Sequence, residues 1–147
     1  MYDLIILGAG AAGMTASIYA SRYKINHLIF WDKVGGQFVD AHIIENYPGF
    51  TSIDGFTLIA NFRNHVESYG VRIREEKVGG IGEIKNQKSP PKAGQPRAEK
   101  IKIGEGDEES GVSGEENIGF EISTETGEKI ETKSLILAMG ARHRALN

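Results

Sequence analysis

Asp3-Leu4-Ile5-Ile6-Leu7-Gly8-Ala9-Gly10-Ala11-Ala12-Gly13 decides how the rest of this chain is read. An apolar run feeds straight into Gly-x-Gly-x-x-Gly, and a helix-forming segment, Met14 to Tyr23, follows at once. A second apolar run, His27 to Trp31, closes on the acidic Asp32 about 20 residues beyond the glycines. Strand, glycine turn, helix, strand and acid in that order make the dinucleotide-binding βαβ fingerprint. Gly8 permits the tight turn, Gly10 lets the backbone approach a pyrophosphate, and Gly13 lets the helix lie close on the strand. The helix start then offers unpaired N–H groups and a positive dipole end to the diphosphate. Asp32 is placed to accept from an adenosine ribose hydroxyl. A glycine turn that merely packs a helix is the competing reading, and it does not account for strand, helix and acid standing in register.

The sequence of 147 residues has the size of one domain and is long enough to bury a core. A hydrophobic content of 39% and a charged content of 25% are ordinary for a globular chain. A net charge of -3 argues against nucleic acid or an anionic membrane as partner. No apolar run reaches membrane-spanning length and no basic-then-apolar leader opens the sequence, so a cytoplasmic location is expected. The chain has no cysteine. Structural disulfides, thiolate metal sites and dithiol chemistry carried by these residues are thereby excluded. His27, His42, His65 and His143 lack metal-ligand spacing, and no metal site is expected. His27 reads as a structural or surface-edge residue of its strand.

Residues 3–7 and 27–31 read as strands of a parallel sheet covered on both faces. Gly35-Gly36-Gln37 and the segment to Ser52 form a shaped loop region, with a short helix around Phe38 to Ile44. A helix from about Gly55 to Tyr69 follows, with Asp54 as N-cap. Its Phe56, Ile59, Phe62, Val66 and Tyr69 read as a core stripe, and Gly70 as its stop. Val71 to Ile73 is the expected third parallel strand, and Val78 to Ile84 opens an antiparallel accessory sheet. Residues 86–117 run from basic to acidic, contain Pro90, Pro91 and Pro96, and have few large apolar side chains. A flexible surface insertion is the plain reading and a docking segment the sharper one; only Lys100 to Ile103 alternates like an edge strand. Gly119 to Thr124, a turn at Thr126-Gly127, and Glu128 to Thr132 read as a hairpin. Ser134 to Ala138 reads as a buried strand returning to the main sheet, ending at Met139-Gly140.

Four separated motifs carry a resemblance: Gly8 to Gly13, Gly35-Gly36-Gln37, Ile44-Glu45-Asn46-Tyr47-Pro48-Gly49-Phe50, and Leu135-Ile136-Leu137-Ala138-Met139-Gly140-Ala141-Arg142. Together they closely resemble the N-terminal FAD-binding part of low-molecular-weight thioredoxin reductases, and the flavin subunit of alkyl hydroperoxide reductase shares much of the pattern. The resemblance spans nearly the whole chain outside 86–117. It implies an α/β fold: a Rossmann-like FAD-binding domain of three layers, with a parallel sheet and a small antiparallel accessory sheet. By resemblance, Gly8, Ala9, Gly10, Ala11, Ala12 and Gly13 cradle the FAD pyrophosphate, while Asp32 and Lys33 lie at the adenosine ribose. Gly36, Gln37 and Asn46 approach the flavin and its ribityl chain. The Val78 backbone meets the adenine, and Met139 and Gly140 occupy a turn beside the cofactor.

Three departures qualify the resemblance. Ala11 stands where many relatives carry proline, and Met139 where a threonine is usual. The family also continues into an NADPH domain with a Cys-x-x-Cys pair and a segment that completes the FAD site, none of which is found in these residues. The expectation is therefore one incomplete FAD-binding domain over 1–147, unable alone to pass electrons from NADPH through FAD to a disulfide. The resemblance implies a homodimer, a separate chain or domain for NADPH, and a redox partner such as thioredoxin. A ferredoxin- or flavodoxin-NADP reductase-like flavoprotein, and a nucleotide-binding module without redox function, are the alternatives. Glu45 reads as a loop former bonded to nearby backbone.

Overall fold

The computed structural model describes residues 1–32, 36–85, 100–101 and 117–140. Lys33, Gly35, most of the 86–117 segment and the residues after Gly140 lie outside the described residues. β1 (Tyr2–Leu7), α1 (Ala11–Arg22) and β2 (His27–Phe30) form the βαβ unit that the glycines announce. The strands pair in parallel, Leu4 opposite His27 and Leu7 opposite Phe30. Leu4 to Leu7 and His27 to Phe30 are all buried, as continuous apolar runs covered on both faces should be. Helix α1 begins at Ala11 rather than Met14, because the Met14 N–H already donates to the Gly10 carbonyl at 2.9 Å. The second half of the glycine motif is thus the first helical turn. Its far end closes with Lys24 in the left-handed region (φ 58°) and the Ile25 N–H on the Ala20 carbonyl at 2.9 Å.

His27 is structural rather than a surface edge. Its Nδ1 donates to the Ile25 carbonyl at 2.8 Å, which leaves Nε2 to accept from the buried Ser17 hydroxyl at 2.7 Å.

Helix α2 (Gly36–Asp40) is short, and α3 (Gly55–Ser68) follows a loop. The expected helix to Ile44 stops early because Ile44 pairs with Ile53 instead, through backbone bonds of 2.8 and 3.0 Å. Asp54 caps α3 as expected, its carboxylate accepting the Thr57 N–H at 2.8 Å. That bond holds the Asp54 carboxyl below its ordinary value. The core stripe differs from the one read in sequence. Leu58, Ile59 and Val66 are buried and Phe62 packs against the cluster that holds Ile59 and Val66, whereas Phe56 is 63% exposed and Tyr69 42% exposed. Leu58 takes the inward place in the first turn and turns Phe56 outward. Tyr69 caps the helix and stacks on His65 with 5.6 Å between ring centres.

The remaining elements are β3 (Ile73–Arg74), β4 (Val78–Lys85), β5 (Lys100–Ile101), β6 (Asn117–Thr124) and β7 (Lys129–Leu137). They complete one sheet in the order β3-β2-β1-β7-β6-β4-β5. The first four strands are parallel and the last pairings antiparallel. Sequence suggests two strands, at 128–132 and a buried one at 134–138; the structure has one, and its end is not buried, with Ile136 and Leu137 exposed. Thr132 is the reason for the union, since it lies opposite Phe120 on one side and Tyr2 on the other. Its buried hydroxyl donates to the Ser134 carbonyl at 2.9 Å. Strand β7 therefore belongs to the accessory hairpin first and the main sheet afterwards.

Three layers result. One face of the main sheet packs Leu4, Ile6, Ile29 and Trp31 against Met14, Ala20, Ile59 and Val66 of the helices. The other face packs Ile5, Leu7, Leu28 and Phe30 against Ile81 and Ile122 of the folded-over accessory strands. The alternation of odd and even residues in β1 between these clusters is the period of a strand with two buried faces.

Candidate functional site

β1, β2, β3 and β7 finish at one edge, at Leu7, Phe30, Arg74 and Leu137. β2 and β3 extend to one side of β1 and β7 lies on the other, so the strand order reverses between β1 and β7. Ligands of open α/β sheets bind at the carboxyl edge of such a switch point.

The glycine turn and the Met139-Gly140 turn leave this edge side by side. The Ala138 N–H donates to the Leu7 carbonyl at 2.7 Å. A Cβ on Gly8 would stand 2.3 Å from the Ala138 carbonyl oxygen, and Gly8 has φ +109°, a conformation other residues avoid. A Cβ on Gly13 would stand 1.8 Å from the Gly8 carbonyl oxygen. Gly8, Gly13 and Ala138 thus interlock by backbone contact. Gly10 is the contrast: a Cβ there would meet nothing within 4 Å. It is also the α1 N-cap, and no side chain caps that helix start. An open space above Gly10, at a helix N-terminus without a side-chain cap, fits the diphosphate of a dinucleotide. Ala9 is buried beneath the turn, Ala11 half-buried, and Ala12 exposed.

Asp32 is exposed and follows Trp31, whose N–H donates to the Arg74 carbonyl at 2.8 Å. It therefore leaves β2 at the same edge. Trp31 is buried under the Arg63 guanidinium, 5.6 Å from the ring centre. Met139 is 52% exposed, and Gly140 adopts φ +70°. Gly36 and Gln37 lie on α2, with Gln37 exposed. Asn46 is exposed in a loop fastened to α3 by Tyr47, which packs edge-on against Phe62 at 5.9 Å. No hydrogen bond from the Glu45 side chain occurs among the described residues, so its expected tie to backbone is not seen. The fold brings the glycine turn, Asp32, Met139 and Gly140 to one edge; Gln37 and Asn46 ride on a separate unit docked to α3, with the Gly55 N–H bonded to Ala41 at 3.1 Å.

Val78 opens β4, half-buried against the second core cluster and opposite Thr124. A polar cluster fixes this region. The Arg74 guanidinium lies 5.4 Å from the Phe30 ring centre and pairs with both Glu76 and Glu128, the latter at 2.7 Å. The Thr126 hydroxyl donates to Glu76 at 2.6 Å, and Lys77 pairs with Glu125. Thr126 and Thr124 hold the Glu76 carboxyl below its ordinary value, and the Arg74 bond does the same for Glu128. The Glu128 bond in turn raises the Arg74 guanidinium. Sequence reading overlooked this cluster, because its partners are as much as 54 residues apart.

Hollows also open away from the carboxyl edge. One of about 460 Å³ opens at the amino edge beside Lys24 and Arg72, where the carbonyl ends of α1 and α3 disfavour an anion. Among the described residues there is no cluster of three metal-ligating side chains, and no described helix is long and apolar enough to cross a membrane.

Residues 2–147 match the family model of the pyridine nucleotide-disulphide oxidoreductases. The thioredoxin reductase of Bacillus subtilis is 37% identical over 126 residues, 81% of this chain and 39% of that protein. The crystal structure of Lactococcus lactis thioredoxin reductase superposes with a TM-score of 0.72 at 32% identity, covering 99% of this chain and 38% of the other. A ferredoxin-flavin thioredoxin reductase from Clostridium acetobutylicum superposes at 0.68 with 25% identity, covering 99% and 39%. The chain thus spans less than half the length of each of these relatives.

Proposed function

Because the chain belongs to the pyridine nucleotide-disulphide oxidoreductase family, we propose that it is the FAD-binding portion of a thioredoxin-reductase-like flavoprotein. The observation that carries the reading is the difference among the glycines. Gly8 and Gly13 are filled by protein backbone, Gly10 is open, and Asp32 leaves the sheet at the same edge. In this reading the backbone from Gly8 through Ala9, Gly10, Ala11 and Ala12 to Gly13 holds the pyrophosphate. Asp32 accepts from the adenosine ribose, with Lys33 beside it. The Val78 backbone meets the adenine. Gly36, Gln37 and Asn46 face the ribityl and flavin end, and the Met139-Gly140 turn borders the cofactor. When bound, FAD supplies two-electron redox chemistry; these residues bind it, orient it and exclude water from one side.

With no cysteine, the chain cannot itself carry a dithiol. The NADPH site and the thiols are therefore assigned to polypeptide outside these residues, in this protein or a partner chain. Thioredoxin as electron acceptor, homodimerisation and a cytoplasmic location go with the reading. The absence of cysteine permits a ferredoxin- or flavodoxin-linked flavoprotein as a second reading, against which the Glu45-Asn46-Tyr47-Pro48-Gly49-Phe50 motif leans; reduction by ferredoxin rather than NADPH would select it.

The test is the visible spectrum and flavin-to-protein ratio of the purified chain, before and after added FAD. Near-stoichiometric flavin is the expected result. A chain that takes up none in excess FAD does not hold the cofactor by itself, and the proposal in this form fails.

A further inference from the structure

Besides the shared strand β7 and the second core cluster, the main sheet and the accessory hairpin are joined through the Arg74 side chain. After β3 the chain has only Glu75, Glu76 and Lys77 before Val78 opens β4. β4 is paired to β6 and buries Ile81 against the sheet, so what this linker has to place is the Val78 end that follows it. Arg74 ties that end down by touching three elements: the Phe30 ring at the end of β2, Glu76 in the linker, and Glu128 at the hairpin turn. Thr126 closes the ring by donating to Glu76, and the Glu125 N–H donates to the Lys77 carbonyl at 3.1 Å. Phe30 is two residues before Asp32, and Glu76 two before Val78.

We propose that Arg74 is a positioning residue that sets the spacing between Asp32 and Val78 and thereby makes the site select an adenine dinucleotide over a mononucleotide. The proposal rests on the flavin reading above. Two groups approaching an adenosine from different strands help only if their separation is fixed before binding. An exposed ion pair such as Lys77–Glu125 gives little rigidity alone. A guanidinium with two carboxylates and a ring face has one geometry that serves all three. FMN, which lacks the adenosine, should be indifferent to it.

The experiment measures FAD and FMN affinity by quenching of Trp31, the single tryptophan, in the wild-type chain and in Arg74→Met, Arg74→Lys and Glu128→Gln. Amide hydrogen exchange is followed on the same proteins without nucleotide. Arg74→Met should weaken FAD about tenfold and leave FMN within about twofold, with Arg74→Lys and Glu128→Gln intermediate. Exchange should quicken at Val78 to Gly80 and Glu125 to Gly127, while β1 and β2 stay protected. If Arg74→Met loses protection throughout, Glu128→Gln decides, because it keeps the arginine and its ring contact. Equal losses for FAD and FMN, or unchanged exchange at the hairpin in Glu128→Gln and Arg74→Met, overturn the proposal. A wild-type chain that binds neither nucleotide overturns the flavin reading and the selectivity with it, which is a different signature from binding without discrimination.

Discussion

The glycine turn after β1 and the turn of the accessory hairpin are held by opposite means. At the first, backbone lies on backbone: a Cβ at Gly13 would fall 1.8 Å from the Gly8 carbonyl oxygen, and one at Gly8 2.3 Å from that of Ala138. At the second, charged and hydroxyl side chains span the gap through Arg74, Glu76, Thr126 and Glu128. The first fixes position by leaving no room and responds to no solution condition. The second is solvent-accessible, so acid and salt can loosen it. A surface meant to grip a diphosphate is held by backbone packing where the charge sits, and by titratable side chains where the far end of the ligand would rest.

The sharpest way to break this comparison is to add one methyl group. Gly13→Ala should cost about 3 kcal/mol or more, a large share of the ~5–15 kcal/mol of a typical domain, and should show in thermal unfolding and soluble yield. Gly10→Ala adds the same methyl into open space. It should leave the unfolding temperature within about 2 °C while weakening FAD at least about tenfold. Equal destabilisation by the two variants would show that Gly10 is packing too.

Acid should separate the two turns next. Glu76 and Glu128 lie below their ordinary 4.5 when folded, held there by Thr126 and by Arg74 respectively. Each is more acidic folded than unfolded, so its contribution is complete above that value and lost as pH falls through the folded one. Amide exchange at Glu125 to Gly127 should rise below about pH 4.5 before it rises at Gly8 to Gly10. Asp3 and Asp54 are shifted the same way, by Lys133 and Thr57, so the local comparison is more telling than total stability. The smallest effect expected is that of Lys77→Ala. Removing this exposed ion pair should cost less than about 0.5 kcal/mol, and the loss should vanish in high salt.

The βαβ unit was legible because its determinants are local. Strand, glycines, helix and Asp32 all fall within the first 32 residues, and each element appears in the expected order, with only the helix start moved from Met14 to Ala11. The family resemblance was legible from short motifs, and the match to a family model over residues 2–147 bears it out. What sequence missed depends on pairs distant along the chain. The union of two expected strands into β7 needs Tyr2 and Phe120 on either side of Thr132. The outward turn of Phe56 depends on which face of α3 meets α1 and the sheet, which periodicity alone does not choose when Leu58 offers a competing stripe. The Arg74 cluster is invisible for the same reason, and the role of Lys33 falls outside the described residues.

The placement of β7 has a consequence for how the molecule is made. β1 has β2 on one flank, available soon after synthesis, but its other flank waits for a strand about 130 residues later, as the Thr132 contact to Tyr2 records. Emerging from a ribosome at about 5–20 residues per second, the first strand spends several seconds with a bare apolar edge. Its maturation is thus timed by translation of the far end, and a nascent chain stalled before Lys129 is the form a chaperone would be expected to meet.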